Sequence, residues 1–76
     1  MLYKRSSFIT WLTKVYDCDV YPHKNNPKIL FIKHLNETTK MFVNSKDAIP
    51  YEEIHLHCNR LGLPGLPGDK DLIKIE

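Results

Sequence analysis

Lys28-Ile29-Leu30-Phe31-Ile32-Lys33-His34-Leu35 is rich in branched and aromatic side chains, which favour extended backbone. We therefore predict that this segment is the central strand of a sheet. Asn25-Asn26-Pro27 before it and Asn36-Glu37-Thr38 after it are turn sequences. Thr39 to Val43 is expected to return as an antiparallel partner, which makes a hairpin with a longer loop.

Both faces of this central strand are apolar for most of its length, so two orientations are open. If Leu30 and Ile32 face the helices, His34 lies at the rim of the same buried face. If Ile29 and Phe31 are buried instead, His34 points outward. Periodicity alone does not decide between the two.

An amphipathic helix is predicted upstream of the sheet. Ser6 or Ser7 is expected to cap it, because a serine hydroxyl can accept a hydrogen bond from a free amide of the first turn. Its apolar stripe recurs at intervals of three and four residues and comprises Phe8, Trp11, Leu12, Val15 and Tyr16. Asp17 to Tyr21 then predicts a further strand. Pro22 excludes that strand from the centre of the sheet, because proline has no N–H to donate.

A second helix is predicted after the hairpin. Pro50 suits its first turn, and Gly62 suits the position just beyond its end. Ile54, Cys58 and Leu61 form its apolar stripe. The fold class is therefore α+β, in the order helix, two- or three-stranded antiparallel sheet, helix.

Residues 1–63 are predicted to form a single domain, and residues 64–76 a tail punctuated by proline and glycine. The repeated Leu-Pro-Gly of residues 63–68 leaves no regular element there. Leu72 to Ile75 is apolar enough to add an edge strand or to dock on a partner, and otherwise it is frayed. We expect the tail to be dispensable for folding.

Charge and cysteine content narrow the class of protein. Residues 1–46 carry eight Lys or Arg against three Asp or Glu, and residues 47–76 carry three against six. A basic front half can hold an anionic partner, although a solvated mixed surface fits as well.

The chain has two cysteines and no apolar run of membrane-spanning or signal-peptide length. These features predict reduced thiols, a cytoplasmic location and no membrane partner.

The four histidines do not predict a metal site. His55 and His57 lie two apart on a helix, so they point in nearly opposite directions and cannot share an ion. They are expected to be exposed. No metal or cofactor is predicted.

Three pieces of the chain resemble the HicA toxin family, small bacterial proteins that bind and cleave messenger RNA and are silenced by a HicB antitoxin. The helix Ser7 to Tyr16, the strand Phe31-Ile32-Lys33-His34 and the helix that runs from Ile49-Pro50 to Leu61-Gly62-Leu63 occur in the family's order. The match covers about residues 6–63. It implies a fold like that of double-stranded-RNA-binding domains, contact with RNA and an antitoxin or other protein partner.

The resemblance departs from the family at the catalytic position. In the family a histidine follows a Gly-Ser pair at the start of a strand, whereas Asn25-Asn26-Pro27-Lys28 stands here. Any surviving cleavage would use His34 or His23 as general base or acid on the ribose 2′-hydroxyl or its leaving oxygen. Three lysines would hold phosphates: Lys24, Lys28 and Lys33.

The alternative is a non-enzymatic protein-interaction module that uses a sheet edge or the C-terminal tail, because strand addition needs no special chemistry. A true double-stranded-RNA-binding module is a poorer match than the HicA family, because such modules present lysines at the start of the last helix. The second helix begins Tyr51-Glu52-Glu53, and carboxylates at that position repel phosphates.

Overall fold

A computed structural model describes residues 1–75 and shows the α+β class that the sequence predicts. The elements in chain order are β1 (Leu2–Lys4), α1 (Arg5–Tyr16), β2 (Asp19–Pro22), β3 (Ile29–His34), β4 (Glu37–Phe42), β5 (Ala48–Pro50) and α2 (Tyr51–Arg60). All pairings are antiparallel: β1 pairs with β5, and β3 lies between β2 and β4. The central place of β3 and the edge place of β2 are thus confirmed.

One face of the three-stranded sheet is buried. Ile32 in the middle of β3 and its neighbours Thr39 and Met41 in β4 are almost completely shielded from solvent. His34 shares this inner face at its rim, so the structure selects the first of the two orientations left open by the sequence. The helices complete the core with Phe8, Trp11, Leu12, Ile54, Cys58 and Leu61.

The start of α1 differs from the expected serine cap. The helix begins at Arg5, and Lys4 flanks it without a side-chain cap. Asp47 caps it from the β4–β5 connection: its carbonyl accepts from the Arg5 N–H (2.7 Å), and its carboxylate accepts from the N–H (3.1 Å) and hydroxyl (2.7 Å) of Ser6. The prediction is wrong because the pairing of β1 with β5, unforeseen from sequence, brings Asp47 to the helix start.

The apolar stripe of α1 is buried over only part of its length. Trp11 is 8% exposed, as predicted, whereas Val15 is 57% exposed. Val15 lies in the last turn and lines a surface groove together with Ile73 of the tail. Its assignment to the core is therefore wrong.

The β3–β4 turn is tighter than predicted, with only Leu35 and Asn36 between the strands. Glu37 and Thr38, expected in the loop, instead begin β4 opposite His34 and Lys33. Leu35 has a φ of 55°, a left-handed conformation that is uncommon for leucine.

The C-terminal end of α2 agrees with the sequence prediction, whereas Pro50, expected in the first turn, is the last residue of β5 and has extended backbone. Pro50 precedes the helix, and Gly62 beyond its end has a φ of 67°, where glycine avoids the steric cost of a side chain. His55 is exposed as expected. His57 is 2% exposed, so the prediction of two exposed histidines is wrong for this residue.

The C-terminal segment packs against the domain, but it pairs with β1 only through an isolated bridge between Tyr3 and Lys74 and does not form the edge strand that the sequence left open. Pro67 and Leu72 are buried. Two backbone hydrogen bonds join the segment to β1, from the Lys4 N–H to the Ile73 carbonyl (2.7 Å) and from the Ile75 N–H to the Leu2 carbonyl (2.8 Å). Glu76, the last residue of the predicted tail, lies outside the described residues.

Candidate nucleic-acid interface

The second face of the three-stranded sheet is open to solvent. Side chains alternate along a strand, so the residues between those of the buried face all point to this side. We call it the outer face, and it comprises Asp19, Tyr21, His23, Ile29, Phe31, Lys33, Thr38, Lys40 and Phe42. Tyr21 is 44% exposed and Phe42 60% exposed, in contrast to the fully buried Ile32 on the inner face.

Three rings form a row across the outer face. Phe31 stands at its centre, with ring centroids 5.7 Å from both Tyr21 and His23. Phe42 extends the aromatic surface on β4, and the ammonium group of Lys40 lies 5.5 Å from its ring centroid. A cation over an aromatic ring is favourable, and it places positive charge beside an exposed apolar surface.

The three lysines predicted to bind phosphate lie at opposite ends of this surface. Lys33 is exposed on the outer face, beside Asp19 in β2 and Thr38 in β4. Lys24 and Lys28 are exposed in the β2–β3 connection, and the Lys28 carbonyl accepts from the Val43 N–H next to Phe42. At about 3.4 Å per residue, Lys28 and Lys33 are about 17 Å apart along the strand. The lysines therefore flank the aromatic row and do not form one cluster.

His23 belongs to the outer face. Its Nδ1 accepts a hydrogen bond from the Asn25 N–H at 3.0 Å. In the neutral imidazole the proton must then be on Nε2, which makes this ring a hydrogen-bond donor to its surroundings. A donor stacked beside Phe31 suits the recognition of a base or phosphate better than general-base chemistry.

His34 lies on the other side of the sheet, so the structure does not bring the two predicted catalytic histidines together. Its Nδ1 lies 3.2 Å from the Leu61 carbonyl. A carbonyl only accepts, so Nδ1 carries the proton and Nε2 holds the lone pair in the neutral ring. Tyr16 packs edge-on against the ring at 5.9 Å. The His34 imidazole is thus held in the tautomer that a general base requires.

A buried polar network has the order of a catalytic triad: hydroxyl, imidazole and carboxylate. The Thr39 hydroxyl lies 2.8 Å from Nδ1 of His57, and Nε2 of His57 lies 3.0 Å from Glu53. Arg5 donates to both Glu53 oxygens, at 2.6 and 3.2 Å. Thr39 is only 2% exposed, so no substrate can reach its hydroxyl. The network is structural, joining α1, β4 and α2.

Within residues 1–75, possible metal ligands, the thiols and the length of the helices also bear on function. No group of three or more histidine, cysteine or acidic side chains is placed to hold a metal ion. Both cysteines are buried free thiols, as predicted, and burial raises the pKa of Cys18 and raises that of Cys58 to about 11. Neither helix is long and apolar enough to cross a membrane.

The aromatic row was missed in the sequence because strand register was unknown. A two-residue turn at Leu35 and Asn36 sets Phe31 opposite Lys40 and Ile29 opposite Phe42. The available signal was the alternation in β4, where Thr39 and Met41 occupy one face and Lys40 and Phe42 the other.

Comparison with protein-family models, with curated proteins and with solved structures finds no match to this chain. The resemblance to HicA toxins therefore stays a hypothesis that rests on the three sequence pieces.

Proposed function

We propose that this protein binds single-stranded RNA on the outer face, where bases stack on the aromatic row and lysines hold phosphates. The aromatic row, in which Tyr21 is exposed and Phe31 and His23 are partly exposed, is the observation that carries the proposal. Solvent-exposed aromatic rings on a sheet are a recurring platform for unstacked bases. The cytoplasmic location and the RNA binding implied by the HicA resemblance belong to this proposal.

The distribution of charge supports an RNA strand that lies over the aromatic row, with cations at both ends of the row. Lys33 stands at one end of the aromatic row, Lys28 and Lys24 stand at the other, and Lys40 lies beside Phe42. Asp19 is the one acidic residue of the outer face. Single-stranded RNA can place ring faces on Phe31 and phosphates on these lysines at once, whereas a duplex keeps its ring faces stacked internally.

Cleavage is not part of the proposed activity. A general base must come within hydrogen-bond reach of the ribose 2′-hydroxyl, about 2.6–3.2 Å. His34 has the required tautomer but lies on the face opposite the aromatic row. His23 lies on the outer face, but its Nδ1 already accepts a hydrogen bond. We therefore propose binding without cleavage.

The test is fluorescence anisotropy with a labelled oligouridylate at low salt. Phe31→Leu keeps an apolar side chain and removes the stacking ring, and we expect it to weaken binding at least fivefold because stacking contributes about 1–3 kcal/mol per base. Contacts from Lys24, Lys28 and Lys33 to three phosphates predict a log–log salt slope of about −2. Reversing all three to glutamate should abolish binding.

Lys70 and Lys74 supply the matched control, since both are exposed in the C-terminal segment away from the outer face. Their reversal to glutamate should change affinity little.

A denaturing gel tests for cleavage. The RNA should stay intact with the wild type and with His34→Ala. Cleavage by the wild type that disappears in His34→Ala would overturn binding without cleavage. Absence of salt-dependent binding would overturn the RNA proposal itself.

A protein partner is the second candidate, favoured by one surface. Val15 (57% exposed) and Ile73 (55% exposed) line a groove of about 410 Å³ between α1 and the C-terminal segment. This apolar surface fits the interaction-module alternative. It becomes the better account if the wild type binds no RNA.

A further inference from the structure

A groove between β4 and α2 continues the outer face around the free edge of the sheet. It encloses about 400 Å³ and is lined from β4 by Lys40 and Phe42, which also belong to the outer face. Leu56 and Arg60 line it from α2. We call it the β4–α2 groove. Because Lys40 and Phe42 belong to both surfaces, the groove adjoins the outer face.

Two uncompensated cations face each other across this groove. Lys40 and Arg60 are both exposed, and neither forms an ion pair with any residue in the described range 1–75. Arg5 also lines the groove, but the Glu53 carboxylate neutralises its charge at 2.6 Å. The available positive charge is therefore that of Lys40 and Arg60, which is complementary to an anion placed between the walls.

The walls carry apolar surface as well as charge. Phe42 is 60% exposed and Leu56 is 44% exposed. A ligand with an anionic group and a flat apolar part matches this combination, whereas a simple inorganic anion uses only the cations. A nucleotide of a single strand has both parts, a phosphodiester and a base with two ring faces.

We infer that the β4–α2 groove holds the next nucleotide of the RNA strand bound on the outer face, with Lys40 and Arg60 on its phosphate. This inference rests on the proposed function. The groove then extends the binding site beyond the sheet, so longer oligonucleotides gain affinity from it and short ones do not. Arg60 then determines how many nucleotides the site binds.

The experiment measures the affinity of labelled oligouridylates of about 4 to 16 nucleotides, the range occupied by single-strand-binding modules. Arg60→Gln should leave the shortest ligands unaffected and remove the gain in affinity on lengthening. It should also make the salt slope for long ligands about 0.7 less negative, the value of one phosphate contact. Arg60→Lys keeps the charge and should retain most of the slope, and Lys70→Gln is the matched surface control.

The outcomes separate this inference from the proposed function. If Phe31→Leu weakens binding while Arg60→Gln behaves like Lys70→Gln, the outer face stands and the groove inference is overturned. If Arg60→Gln makes the salt slope less negative while Phe31→Leu has no effect, the groove binds RNA and the outer-face proposal fails. If the wild type binds no oligouridylate of any length, both are overturned. Thermal melts of each variant confirm that the fold is retained.

Discussion

Nε2 of His57 lies 3.0 Å from Oε2 of Glu53, one helical turn earlier on α2. The same carboxylate accepts from Arg5 of α1, and the other ring nitrogen of His57 meets the Thr39 hydroxyl of β4. Burial lowers the pKa of His57, and this effect exceeds the opposing influence of Glu53. The neutral ring therefore donates from Nε2 to the carboxylate and accepts at Nδ1 from the hydroxyl, so both ring nitrogens are satisfied, whereas Nε of Arg5 is buried without a hydrogen-bond partner.

This contact predicts that acid destabilises the fold. With its pKa lowered in the folded state, His57 takes up a proton more readily in the unfolded chain, so stability is complete above about pH 6.5 and falls below it. Burial alone would raise the pKa of Glu53, but Arg5 and His57 lower it, so its contribution is lost further down, below about pH 4.5. Between about pH 7.5 and about pH 5.5 the free energy of unfolding should decrease by up to about 1.4 kcal/mol per pH unit for one proton, and the urea midpoint should fall with it.

A pair of histidine variants isolates the cause of this pH dependence. His57→Gln should be less stable than the wild type at neutral pH, because Gln reproduces the two hydrogen bonds of the ring poorly. Its free energy of unfolding should change less than that of the wild type between about pH 7.5 and about pH 5.5. His55→Gln alters an exposed residue of the same helix and should keep the wild-type profile. An unchanged pH slope in His57→Gln would refute the assignment.

The C-terminal segment is expected to be needed for stability, contrary to the expectation from sequence. Leu72 is 7% exposed within the core, whereas its neighbour Ile73 is 55% exposed. Leu72→Ala should cost roughly 2–5 kcal/mol in the free energy of unfolding, and Ile73→Ala should cost less than about 1 kcal/mol. Truncation after Gly62 should abolish or strongly lower the cooperative melt. A truncated chain that melts like the full one would show that these contacts contribute nothing.

The hairpin turn should be improved by glycine. Leu35 has a φ of 55° and is 79% exposed, so its side chain strains the backbone without contributing to the core. Left-handed backbone costs a non-glycine residue about 1–2 kcal/mol, and glycine adds about 0.5–1 kcal/mol of unfolded-state entropy. Leu35→Gly should therefore raise the free energy of unfolding by up to about 1 kcal/mol. Leu35→Ala keeps the strain and should change little; a less stable Leu35→Gly would contradict the prediction.

The two thiols should react only when the fold opens. Cys18 is 6% exposed and Cys58 is 1% exposed, and burial raises the pKa of both. Since the thiolate is the reactive form, a chromogenic disulfide reagent should modify the native protein slowly at about pH 8. Both cysteines should react promptly in denaturant. Fast modification under native conditions would mean that the helices do not cover them.

Local signals were sufficient for the helices and the central strand. The apolar spacing around Trp11, the proline at position 50 and the glycine at position 62 act within a few residues of chain, so their structural effect is readable from neighbours alone. The same holds for β3, whose branched residues favour extended backbone in any context. The free thiols were predicted from the low cysteine count, and both cysteines are free in the structure.

The pairings between strands far apart in the chain could not be predicted from such local signals. The β1–β5 sheet joins Tyr3 to Ile49, and the C-terminal segment joins β1 through Lys74, in each case between residues far apart in the chain. Each strand is only a few residues long, too short to show an alternation of apolar and polar residues. Each forms because the rest of the fold places its partner strand beside it. Asp47 replaces the expected serine cap for the same reason.

The candidate site shows the same division. Residue types already indicated a basic, histidine-containing front half, and the chemistry of each side chain was known from its identity. Which residues act together depended on register: the two-residue turn sets Phe31 opposite Lys40, the β2–β3 pairing sets it opposite Tyr21, and alternation along β3 places His34 on the other face. Because side chains in a strand alternate, a shift of one residue would exchange the buried and exposed sets. Residue identity thus supplies the chemistry, while cross-strand pairing determines which face carries it.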